Sequence, residues 1–216
     1  MRNLIIDLDA IAYNLDVMRQ RAGGVKVCGV VKANAYGHGM IEVARKLEEA
    51  GVDYLGVADV AEALELRRAG IDAPILAWLH DPQEMFIEAL NEGIELGLAN
   101  EDHLARVAAA AEITGRLARV HLKVDTGLNR NGASAAEWEG VLRQARALVA
   151  EGFIQVVGIF SHLSSTGEAE DLAQIARFDA AVDQARESGL QFELRHLTAS
   201  DGSLNYPQAQ YEMVRV

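Results

Sequence analysis

Short runs of Val, Ile and Leu recur along the chain, and apolar residues at helical spacing fill the stretches between them. The runs predict strands near 26–32, 54–58, 75–79, 95–98, 119–124, 155–161, 194–198 and 212–216. Their continuous apolar character is that of strands buried on both faces. Helix start signals separate them. Asn100 precedes Leu104, Val107 and Ala111, Ser134 to Glu137 reads as a capping box, and Asp59 to Glu62 is a weaker version of that device. A longer helical stretch over 168–188 presents Leu172, Ile175, Phe178 and Val182. Strand–helix alternation at this pitch predicts βα units around a parallel sheet.

Eight such strands predict an α/β fold closed as a (β/α)8 TIM-type barrel. An open doubly wound sheet is the alternative, but no glycine-rich dinucleotide fingerprint follows the first strand. The ends are unusual for a barrel. Leu8, Ile11, Leu15 and Met18 make one apolar stripe, so an extra N-terminal helix over 9–22 precedes the first strand, and no helix follows the eighth. That N-terminal helix is expected to cover the seam where an eighth outer helix would pack. Without linker composition or low-complexity sequence, residues 1–216 read as a single domain.

Composition narrows the function classes. A net charge of −12 argues against a broad face for nucleic acid. No apolar stretch approaches the roughly 20 residues that span a bilayer, so no membrane partner is expected. The segment from Met1 to Asp9 lacks a secretory apolar core. A single cysteine, Cys28, rules out an intramolecular disulfide and suits a reducing, cytoplasmic setting.

Several strand-like runs end in a charged or polar residue: Lys32, Lys123, His162, Ser200 and Arg215. In a parallel barrel such ends share one rim, where catalytic groups are placed. Taken singly, each has a bland reading as well. Lys32 is either a snorkelling surface lysine or a desolvated amine able to form a Schiff base with an aldehyde. Lys123 would pair with Asp125, Arg130 would lie on the surface, His162 and Trp78 would be core. Ser200 would cap a short helix near 201–206, or, with that helix's amides, seat a phosphate.

The run from Val30 through Lys32, Asn34, Tyr36 and His38 to Gly39 resembles the pyridoxal-phosphate attachment motif of bacterial alanine racemases. Ile6 to Ile11 with Asn14, His121 to Arg130, Phe160 to Leu163, and His196-Leu197 with Ser200 resemble further segments of that family. Leu204 to Pro207 is similar to the serine/alanine racemase form. The resemblance covers essentially the whole chain as the family's N-terminal barrel. It implies pyridoxal 5'-phosphate attached to Lys32, with Tyr36 and Ser200 at the phosphate and Arg130 at the phenolic oxygen. His162 and Trp78 would lie against the ring and Arg215 at the pyridine nitrogen. Lys123 would be the lysine often carbamylated in the family. The implied substrate is a small amino acid, alanine or serine, and the implied assembly a homodimer. The family's second base comes from a C-terminal β-domain that this chain is expected to lack. Racemisation is therefore expected to be impaired, and cofactor binding without significant turnover is the alternative.

Overall fold

The computed structural model describes residues 3–216; Met1 and Arg2, where the segment read for a secretory signal begins, lie outside them. All eight expected strands form: β1 Lys26–Val30, β2 Tyr54–Val57, β3 Ile75–Ala77, β4 Glu95–Leu98, β5 Ala118–Lys123, β6 Ile154–Phe160, β7 Leu194–His196 and β8 Met213–Arg215. Every ladder is parallel, in the order β7-β6-β5-β4-β3-β2-β1-β8. The sheet curls until β7 meets β8. That last pair has no ladder; the Arg215 N–H donates to the Thr198 carbonyl at 3.1 Å across it. The architecture is a nearly closed (β/α)8 barrel.

Apolar runs became strands because both of their faces are covered. β2, β3 and β4 are buried at every position. Inside them, Leu55, Ile75, Leu96 and Leu98 are removed from solvent, each contributing about 1.5–3 kcal/mol of burial. Two glycines shape the mouth. A Cβ on Gly56 would stand 2.6 Å from the Trp78 ring, and one on Gly97 would stand 2.9 Å from Phe160 and from the Cβ of Trp78. Only glycine at both sites lets Trp78 lie across the neighbouring strands.

The outer helices are α3 Met40–Glu49, α4 Val60–Arg68, α5 Ile87–Asn91, α6 Glu101–Thr114, α7 Trp138–Ala150, α8 Glu168–Glu187 and the short α9 Ser200–Asn205. α1, Leu8–Arg21, packs on α3 and β1 and reaches α9, filling the place an eighth outer helix would take. Its Leu15 is buried, and Gln210 just before β8 donates to the Arg21 carbonyl at 3.3 Å.

The caps follow the sequence in part. Asn100 accepts from the His103 N–H at 2.8 Å, as its position implies. At Ser134 the helix starts later than the capping box suggests: Glu137 accepts both the Ser134 N–H and hydroxyl, and α7 begins at Trp138. Ser200 is not a cap at all. It is the first residue of α9, Ala199 holds the N-cap position, and no side chain caps that end.

One element was not foreseen. After β1 the segment Lys32–Gly37, α2, turns with the wrong hand: Ala33, Asn34, Ala35 and Tyr36 have φ of 51, 55, 51 and 54°. Left-handed turns cost L-residues roughly 1–2 kcal/mol each. Local bonds offset part of that cost: Ala35 N–H to Val31 carbonyl at 2.7 Å, and Met40 N–H to the Asn34 side-chain oxygen at 2.8 Å.

Candidate active site

All eight candidate residues line one cavity at the C-terminal mouth of the barrel. Lys32 and Tyr36 come from the turn after β1, and Trp78 from the end of β3. Lys123 ends β5, and Arg130 belongs to the loop beyond it. His162 follows β6, Ser200 opens α9 after β7, and Arg215 ends β8. Residues between 4 and 183 positions apart in sequence are thus set around one space by strand ends that the barrel holds in register.

Their surroundings differ. Tyr36, Arg130 and Ser200 are exposed; Lys32, Trp78 and His162 are half-buried; Lys123 and Arg215 are buried. The Lys32 ammonium lies 5.8 Å from the centroid of the Tyr36 ring. Lys123 has no ion pair with Asp125, whose carboxylate instead accepts from the N–H groups of Gly127 and Asn129. The Lys123 amine sits 5.4 Å from the Phe160 ring centroid. Burial, reinforced by the Arg215 and Arg130 guanidiniums, pushes its pKa down to about 8. Burial and the same cations push His162 down to about 3.

Arg215 is held by four partners. Nη1 donates to His196 Nδ1 at 2.8 Å. Nη2 donates to the carbonyls of Ser161 and Leu197 at 2.7 and 2.9 Å, and more weakly to His162 Nδ1 at 3.2 Å. Nε has no protein acceptor yet is not sealed from the cavity.

Donor logic then fixes a buried chain. Arginine only donates, so His196 Nδ1 must accept and its Nε2 carries the hydrogen. That Nε2–H donates to His121 Nδ1 at 2.9 Å, leaving the His121 Nε2–H to donate to Glu95 at 2.8 Å. Burial and the Arg215 charge hold His196 well below the ordinary histidine range, in keeping with a neutral acceptor ring. Burial opposes the charge on Glu95, but hydrogen bonds from His121 and Arg119 prevail and hold its carboxyl below the ordinary value. This chain was not read from the sequence. Its signal was present in Glu95, a carboxylate inside the apolar run Ile94–Leu98, which had to find a partner.

The donor set suits pyridoxal 5'-phosphate. A lysine amine matches its aldehyde, the Tyr36 and Ser200 hydroxyls match a phosphate, and the Arg215 Nε–H offers a donor to a ring nitrogen. The Thr198 hydroxyl, two residues before Ser200, is buried without a partner. Among the described residues no cluster of metal-ligating side chains occurs, and no helix is long and apolar enough to cross a membrane.

The family model "Alanine racemase, N-terminal domain" matches residues 6–216. The alanine racemase of Thermobifida fusca is 44% identical over 213 residues, 97% of this chain and 57% of that protein. That of Frankia casuarinae is 44% identical over 214 residues, 98% of this chain and 56% of that protein. Alanine racemase from the D-cycloserine producer Streptomyces lavendulae superposes with a TM-score of 0.95 at 40% identity, covering 97% of this chain and 56% of that one. The Streptomyces coelicolor A3(2) enzyme gives 0.94 at 37% identity, covering 97% and 57%. The chain therefore spans a little over half the length of the curated relatives it matches.

Proposed function

The chain belongs to the alanine racemase N-terminal domain family, and on that premise we propose that it holds pyridoxal 5'-phosphate in the barrel mouth and serves the interconversion of L- and D-alanine. The observation that carries this reading is the meeting of all eight candidate side chains, from six strand ends, around one cavity.

When bound, pyridoxal phosphate withdraws electrons from the substrate Cα–H bond and makes that proton acidic. Lys32 would hold the cofactor covalently, and its amine, when free, would be the base that removes or returns the substrate proton on its own face. The Tyr36 and Ser200 hydroxyls would hold the phosphate. Arg130 would hold the phenolic oxygen, with Lys123 beside it as a cation or a carbamate. Trp78 and His162 would flank the ring and keep water from it. Arg215 would offer its Nε–H to the pyridine nitrogen. A guanidinium keeps its protons, so a ring nitrogen held there would stay unprotonated, which would limit side reactions such as transamination.

A second reading, cofactor binding with little turnover, draws on the cavity's other ionisable groups. His162 binds a proton too weakly to act near neutral pH, and Lys123 is hemmed by two guanidiniums. Neither is matched to work as the opposite-face acid. A positioned acid or base is worth about 10²–10⁴-fold, so racemisation by this chain is expected to be slow. A coupled D-alanine assay on the purified chain with added cofactor separates the two readings, with serine offered as the alternative substrate. Turnover lost in Lys32→Ala supports the first; a cofactor complex without turnover supports the second.

A further inference from the structure

The left-handed turn that presents Lys32 and Tyr36 is held from outside by one carboxylate. Glu62, in the first turn of α4, accepts the Ala33 N–H at 2.7 Å with one oxygen and the Ala58 N–H at 2.8 Å with the other. Ala58 follows β2, and its own carbonyl accepts the N–H groups of Trp78 and Leu79 at the end of β3. One side chain thus ties the segment after β1 to the end of β2, whose Ala58 carbonyl in turn holds the end of β3. The Asp59–Glu62 pair is therefore only half a capping box. Asp59 does cap α4, accepting from the Glu62 N–H at 2.9 Å, but the Glu62 carboxylate turns away from the helix and reaches the site.

We propose that Glu62 is a positioning residue for Lys32 and Tyr36, keeping the turn Ala33–Tyr36 left-handed so that the amine and the phenol face the cavity. Four consecutive L-residues at positive φ persist only where the surroundings over-determine them. Two charge-assisted bonds from a carboxylate are the means available here. Glutamine at this position keeps the shape but has one acceptor oxygen, and its amide would set N–H against N–H. Released from Glu62, Ala33 can relax toward ordinary φ and carry Lys32 and Tyr36 away from each other's reach.

The proposal rests on the cofactor reading for its consequence but not for its structural core, and two arms separate them. Hydrogen exchange on the cofactor-free chain reads the turn itself. Glu62→Gln should raise exchange at Ala33 and its neighbours through Tyr36, while Glu65→Gln, an exposed change on the same helix, should not. Titration with pyridoxal phosphate, followed by borohydride trapping at Lys32, reads the consequence. Glu62→Gln should weaken uptake by about tenfold, the loss of one charge-assisted bond, with little change in melting temperature. Unchanged exchange in Glu62→Gln overturns the proposal, as does faster exchange with wild-type uptake. If the wild-type chain traps no cofactor, the functional reading fails, and the exchange arm alone decides whether Glu62 holds the turn.

Discussion

Arg215 donates to His196 Nδ1 at 2.8 Å inside the barrel, and that bond orients every proton from the cavity floor to Glu95. Because the arginine end can only donate, the two histidine rings behind it have one arrangement compatible with neutral imidazoles. The chain acts as a rigid strut. It fixes the Arg215 guanidinium from behind and leaves Nε as the donor turned to the cavity.

Cutting the strut should be felt as instability. His196→Phe keeps the stack on Phe160, whose ring lies 4.7 Å away and nearly parallel, yet strands one donor on Arg215 and one acceptor on His121. Buried unsatisfied groups cost about 1–3 kcal/mol each, and urea denaturation should report a loss of at least that size. A stability equal to wild type would show that the strut is not under load.

Lys123 predicts a pH dependence with a definite sign. Below about 8 folded and unfolded chains both hold the proton, and the cost of burying the cation is present in full. Between about 8 and the unperturbed value of 10.5 the unfolded chain binds the proton and the folded one does not, so stability rises with pH. The slope approaches about 1.4 kcal/mol per unit. Lys123→Met should flatten that rise in carbonate-free buffer. A neutral amine in this window also reacts with carbon dioxide, so isotope-labelled bicarbonate should give a carbamate signal that Lys123→Met lacks.

α1 completes the outer wall, and its removal should not be tolerated. Deleting residues 1–22 uncovers β1 and α3, and the remaining chain should be unfolded by circular dichroism. The milder Leu15→Ala should cost about 2–5 kcal/mol, since that side chain is 2% exposed. A folded deletion product would show that the seam does not need its cover.

Sequence and structure agree where burial on both faces dictates the pattern. β1 to β8 were legible because each is a short run dominated by apolar residues, and Lys32, Lys123, His162 and Arg215 because each lies at the end of one. Once the barrel closes, Lys32 and Arg215 must share a mouth, although they lie 183 positions apart in the chain. The handedness of Ala33–Tyr36 was not legible. Alanine and tyrosine ordinarily prefer right-handed turns, and the groups that overrule them, Glu62 and Ala58, lie far along the chain. The role of Glu95 was not legible for the same reason: its partners His121 and Arg119 arrive only with β5. Ser200 carried a cap signal that lost to its place one residue inside α9.

Attachment of the cofactor at Lys32 is the central claim, and it can be read without any assay of turnover. The chain is incubated with pyridoxal 5'-phosphate, reduced with borohydride and digested, and the labelled peptide is identified by mass. The account predicts a single label on Lys32, accompanied by a visible absorbance band that Lys32→Ala abolishes. A label on another lysine, or an equal band in Lys32→Ala, would contradict it.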